Sequence, residues 1–170
     1  MQRFSKGVLA LEGAIAAIGK VLSWAIIPLM LIMVFEVVTR HILNHPTVWT
    51  FETSTQLFGM HFMLLAAYTL LLGRHISVDI VVSRFSPRTR AVLDILLYLI
   101  FFFPFMIVLL IEGIAFAAES WKVLETSSTV FAPPVYPIKT VIPLTALMVL
   151  LQGICIFYKK IHFLLRGIEL

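Results

Sequence analysis

The sequence predicts an all-α integral membrane protein, a single membrane domain over residues 1–170 with four transmembrane helices and a short interfacial helix between spans two and three. Three observations predict it. Hydrophobic residues make up 61% of the chain and charged residues 13%, and the mean hydropathy is +1.03, outside the range of ordinary soluble domains. Four stretches, 21–38, 51–72, 95–118 and 140–158, approach the roughly 20 apolar residues that cross a hydrocarbon core about 30 Å thick. The longest polar interruption, GRHISVDIVVSRFSPRTR at residues 73–90, falls between the second and third of them.

Taken in order, residues 1–20 carry Arg3, Lys6, Glu12 and Lys20, with no continuous apolar core and no small-residue cleavage site. That argues against a cleavable signal. Leu9, Leu11, Ile15 and Ile18 alternate with Ala and Gly, which suits an interfacial helix or a frayed amphipathic tail. The first span, over about 21–40, contains Pro28, a kink position. It ends with Glu36 and Arg40, in the favourable i,i+4 order for a helical ion pair. The second, over 51–72, follows Trp49 and opens on Glu52, a carboxylate in a helix's first turn. Glu52, Gln56, Gly59, Met63, Ala66 and Ala67 make a stripe of small and polar residues. Such a stripe lets helix backbones approach, either within this chain or on a partner.

Gly73 stands where a helix C-cap is expected. In the following segment Val78, Val81, Val82 and Phe85 share one side of a short helix, with Asp79 in its first turn. Val78, Val82, Phe85 and Arg88 are the expected interfacial anchors, and Arg74, His75 and Asp79 the polar part of this elbow. Ser86-Pro87 reads as an N-cap followed by proline at the first helical position. The third span therefore begins at 87 and runs to 118, longer than the core alone. It holds Pro104 and the deep Glu112. The loop SSTVFAPPVYPIK (127–139) is a stiff turn leading into the fourth span, over about 138–158.

Orientation follows from the basic residues. Ten of the thirteen Lys and Arg lie in the N-terminal segment, the 73–90 loop and the C-terminal tail; the exceptions are Arg40, Lys122 and Lys139. The bias places both termini and the middle loop in the cytoplasm. The net charge of +4 thus reflects topology and carries no nucleic-acid footprint. A lone Cys155 excludes a disulfide framework or a cysteine metal site within one chain. No P-loop, GxSxG or HExxH is present, nor a repeat pattern suggesting an inverted-repeat transporter. No catalytic, cofactor-binding or metal-ligating residue is expected. A membrane anchor binding haem through two histidines would need them paired at similar depth; of five, only His61 is well inside a span. A small multidrug-type antiporter exchanging protons for cations at Glu36 is the other alternative.

The ordered landmarks resemble a known family. RHILN (40–44), Trp49, Glu52, LLAAYTLLLGRHISVDIVV (64–82), SPRTR (86–90) and YPIKTVIPLTALMVLLQG (136–153) are similar to the small membrane subunit of tripartite ATP-independent periplasmic (TRAP) transporters. The piece at 64–82 includes the family's Gly-x-His-x-x-x-Asp loop at Gly73, His75 and Asp79. The last stretch resembles the mannitol/chloroaromatic branch, whose relatives handle 2-oxo and other organic acids. The resemblance covers roughly residues 20–158. It implies a bacterial inner-membrane subunit that braces the immobile scaffold of a large, sodium-coupled, elevator-type membrane subunit, fed by a periplasmic substrate-binding protein. A heterodimer with that subunit is implied, and the substrate sites belong to the partners. On this basis Arg40, Trp49, Glu52, Gln56, Gly59, Gly73, Arg74, His75 and Asp79 are expected to be interface or structural residues.

Overall fold

The structure, a computed structural model, describes residues 2–73 and 85–166. The expected interfacial helix, with Arg74, His75, Val78, Asp79 and Val82, lies outside the described residues. Among those described, the order is α1 (Gln2–Ser23), α2 (Ile26–His41), α3 (Thr50–Leu71), α4 (Pro87–Leu97), a π-helical stretch (Tyr98–Phe102), α5 (Phe103–Lys122) and α6 (Tyr136–Arg166). No strand occurs among them, only an isolated bridge between Thr126 and Pro134.

Prolines explain where the long helices break. Pro28 has no N–H, and its ring excludes the carbonyl four residues back, that of Trp24. The chain there takes three-residue bonds, Ala25 N–H to Leu22 O at 3.0 Å and Ile27 N–H to Trp24 O at 3.1 Å, which separate α1 from α2. Pro104 produces the π-helical stretch just before it. There the Phe103 N–H reaches back five residues to Tyr98 O, widening the helix where the ring must fit. Pro143 sits inside α6, opposite Gly113. A Cβ on Gly113 would lie 3.3 Å from Ile142 Cγ2 and 3.4 Å from the Pro143 nitrogen, so glycine permits the close approach of α5 to α6. Ser86 begins α4 as the sequence predicts, its Oγ accepting from Thr89 N–H at 3.3 Å.

α6 is the hub, in contact with α1, α3, α4 and α5, while α2 packs on α3. The buried centre is Ile15 of α1, Ala67 of α3 and Val149 of α6, flanked by Leu11, Tyr68 and Phe102. The N-terminal helix is docked on the bundle, Ile15 inserting beside the small Ala67. Most large apolar side chains face outwards instead. Met30, Leu31 and Val34 of α2 and Phe105, Val108 and Ile111 of α5 are all more than half exposed. In water such a surface would demand a partner; in a bilayer, lipid is an adequate solvent and helices associate through close packing.

Among the described residues, three stretches are long and apolar enough to cross a membrane: Gly7–His41, Pro87–Lys122 and Tyr136–Leu165. α3, expected as the second span, is long enough at about 33 Å for its 22 residues. Glu52, Gln56 and His61 dilute its apolar content, and it falls outside that set.

Close packing at glycine supplies a test. A Cβ on Gly19 would overlap the Tyr68 ring, and one on Gly153 the Phe102 ring, whereas nothing lies within 4 Å of a Cβ at Gly13. Gly19→Val and Gly153→Val should each destabilise the purified protein by about 1–3 kcal/mol, read as a lower thermal midpoint. Gly13→Ala should leave the midpoint unchanged or raise it, since alanine favours helix.

Candidate functional site

Polar chemistry gathers at the two ends of the bundle. At the end holding the α2–α3 and α5–α6 connections, Glu36 in the last turns of α2 is fully engaged. Its Oε1 accepts from Arg40 Nη2 at 2.5 Å and Nε at 2.9 Å. Its Oε2 accepts from the Thr47 hydroxyl, from Thr50 Oγ1 at 2.6 Å and from the Thr47 N–H at 3.4 Å. Glu36 thus ties the end of α2 to the start of α3. Trp49 closes the same turn, its ring centroid 6.0 Å from that of Phe35.

Nearby, the connection between α5 and α6 is held by Glu125. Its Oε2 accepts from Lys139 Nζ at 2.5 Å and Ser120 Oγ at 2.6 Å, while its carbonyl accepts from Val135 N–H at 2.9 Å. The Lys139 ammonium, then the Ser120 hydroxyl, hold the Glu125 carboxyl below the usual carboxylate range. Trp121 Nε1 donates to Thr140 Oγ1 at 2.8 Å, and Gln56 Nε2 donates to Pro134 O at 3.4 Å.

At the opposite end, two neighbouring lysines of α6 each hold a different helix. Lys159 Nζ is 2.8 Å from Glu12 Oε2 of α1, and Lys160 Nζ is 2.8 Å from Asp94 Oδ2 of α4. Lys139 and Lys159 are about 20 residues apart on one helix, ~30 Å at 1.5 Å per residue, which is the thickness of a hydrocarbon core.

The residues expected to matter are thus distributed along the bundle. Arg40 pairs with Glu36. Glu52, in the first turn of α3, has a buried Oε2 without a hydrogen-bond partner among the described residues. Gly59 lies against α6, 3.6 Å from Ile138 Cδ1 to a Cβ placed there. Gly73 has φ +64°, the left-handed conformation that ends a helix. Phe85 and Arg88 are exposed, and the Phe85 carbonyl accepts from Arg90 Nε at 3.2 Å.

Thr47 and Thr50 join the site only in three dimensions, and their trace in the sequence is two hydroxyls three residues apart at the mouth of a helix. The role of His61 likewise emerges only from the fold. Its Nδ1 lies 3.1 Å from the Leu22 carbonyl, so the ring must carry its proton there and donate to the α1–α2 break. Gln152, 1% exposed, has both amide atoms buried without a hydrogen-bond partner among the described residues.

Grooves flank this scaffold. One of about 410 Å³ lies between α2 and α3, lined by Met33, Glu36, Val37, Thr50, Phe51 and Phe58 among others. Another, of about 450 Å³, lies between α1 and α6 beside Leu11, Cys155 and Tyr158. Among the described residues no group of three or more His, Cys, Asp or Glu could hold a metal.

Helices capped at both ends by ion pairs, with apolar side chains facing outwards, define a multi-pass integral membrane protein. Residues 29–162 match the family model of the tripartite ATP-independent periplasmic transporters, DctQ component, and the chain belongs to that family. No curated protein matches it. Membership makes it the small subunit of a TRAP transporter, a multi-pass protein of the inner membrane that associates with the large subunit and a binding protein, in a family of transporter components and not of enzymes.

The Glu125 pair carries a pH signature. Its depressed carboxyl contributes stability that is present above the unfolded-state value, about 4.3. That contribution is lost as pH falls from there through the lower folded value. The thermal midpoint should therefore drop as pH is lowered from 7 towards 3. In Glu125→Gln the midpoint should start lower at pH 7 and vary less over this interval.

Proposed function

We propose that this subunit braces the scaffold of the large, elevator-type membrane subunit in sodium-coupled uptake of organic acids, and holds no transport site of its own. The observation that carries this reading is the separation of its ion pairs into two layers ~30 Å apart. A substrate or ion pathway gathers several ionisable groups at mid-membrane; these pairs lie at the edges. Glu36, the carboxylate an antiporter would use, is committed to Arg40, Thr47 and Thr50, which favours a clamp over proton exchange. The similarity of residues 136–153 to the mannitol/chloroaromatic branch supports 2-oxo or related acids as cargo, and one small subunit per large one is the simplest assembly.

In this reading α3 is a fourth span. Its polar residues face neighbours: Gln56 reaches Pro134, His61 reaches Leu22 and Ala67 is fully covered. Both termini and residues 73–90 are cytoplasmic in this reading, which the distribution of basic residues supports. The segment with Arg74, His75, Val78, Asp79 and Val82 then serves as an anchor at the lipid surface, continued by Phe85 and Arg88.

Topology is tested in intact cells, with single cysteines at Ser86 and Ser127 in a Cys155→Ser background. A membrane-impermeant thiol reagent applied from outside should label position 127 and leave 86 unlabelled; the reverse pattern overturns the orientation. Function is tested in proteoliposomes under a sodium gradient. This chain alone should take up no organic acid, while the large subunit, binding protein and this chain together should. Leaving this chain out should abolish uptake or yield a poorly folded large subunit. Uptake by this chain alone would refute the bracing role.

A further inference from the structure

Glu112 stands apart from every other carboxylate described above. It lies on α5, one residue before Gly113, where a Cβ would face Pro143 of α6, and about 100° round the helix from it its own side chain is exposed. Its depth is set by two rulers. It is eight residues from Ser120 in the ion-paired layer, about 12 Å along α5, and its neighbour Gly113 meets α6 four residues beyond Lys139, about 6 Å. The carboxylate therefore sits inside the apolar slab between the two charged layers.

Its own helix offers no counter-charge within a turn. The positions three and four residues away are Val108, Leu109, Ala115 and Phe116, and Lys139, the nearest base by depth, is committed to Glu125 and to the face of the Phe116 ring, 4.0 Å from its centroid. The surrounding stripe is apolar and outward: Phe105 is 63% exposed and Val108 58%. The outward face of α2 is equally apolar, and lipid alone would satisfy it. Lipid tails do not satisfy a carboxylate, and intramembrane charges pair with a partner. Charge complementarity therefore distinguishes the two faces.

We infer that the α5 face carrying Phe105, Val108 and Glu112 is the docking surface for the large subunit, which presents an Arg or Lys side chain to Glu112 at that depth. This rests on the reading that the chain braces the large subunit, and it says which face does so. The pair would fix the register of two otherwise greasy helices, since sliding either one leaves two unpaired charges in hydrocarbon.

The test uses the full chain co-expressed with the large subunit and recovered through a tag on the latter. A photoreactive phenylalanine analogue at Phe105 should crosslink to the large subunit, and the same analogue at Val34 on α2, also exposed, should not. Glu112→Lys should reduce co-purification at least tenfold, and Glu112→Gln, which keeps shape and some hydrogen bonding, should reduce it less. Each variant purified alone should elute as a single species, which separates lost docking from misfolding. Crosslinking from Val34 instead of Phe105, or Glu112→Leu and Glu112→Lys co-purifying like the parent, overturns this inference while leaving the bracing role intact. Failure of the unsubstituted chain to co-purify at all overturns both.

Discussion

An ion pair survives at the edge of a hydrocarbon layer where a lone charge does not, and α6 sets both edges of this molecule. Lys139 holds Glu125 at one end; Lys159 and Lys160 hold Glu12 and Asp94 at the other. Because these lysines project from one helix of nearly continuous hydrogen bonding, the distance between the layers is as rigid as the helix. α1 and α4 take their vertical positions from it. Exposed or half-exposed pairs of this kind add little to stability in water; their work here is register, since apolar helix faces in lipid slide past one another with little preference of their own.

Between the layers the architecture is governed by three prolines and the groups that compensate for them. Each removes a helical hydrogen bond, and each is met differently. Pro28 separates α1 from α2, and the Leu22 carbonyl at that break gains a second donor in His61. Pro104 is accommodated by a π-helical stretch, and Pro143 by a glycine on the facing helix. In the hydrocarbon region backbone groups lack water as an alternative partner, which explains why a break in one helix recruits a side chain from another. His61 is polar because of where α1 ends, which no inspection of α3 alone would reveal.

How much of the site was legible depended on sequence separation. Glu36 and Arg40 were readable as a pair because four residues on a helix is a local spacing, and Ser86-Pro87 was readable as a helix start for the same reason. Thr47 and Thr50 close on Glu36 across a turn whose path the sequence does not specify. Lys159 with Glu12 spans nearly the whole chain, and neither residue carries a mark that names the other. α3 shows the complementary limit: its polar residues blur its hydropathy because they point at Pro134 and Leu22, contacts invisible to a count of apolar residues.

The amino-acid sequence by itself determined that this is a helical membrane protein of the TRAP small-subunit kind, that a helix starts at Ser86-Pro87, and that Pro28 and Pro104 interrupt helical hydrogen bonding. Those properties follow from apolar run length, proline and glycine chemistry, and spacings of three or four residues, all of which act locally. Only the tertiary structure decided that the N-terminal helix packs into the bundle through Ile15, that α6 is the element on which the others are registered, and that Glu36 is a clamp. It alone decided that Glu112 faces outwards. Whether a side chain meets a neighbour or the lipid depends on how each helix is rotated about its axis, and that rotation is settled by close packing at Ala67, Gly113 and Gly153 between segments far apart in the chain.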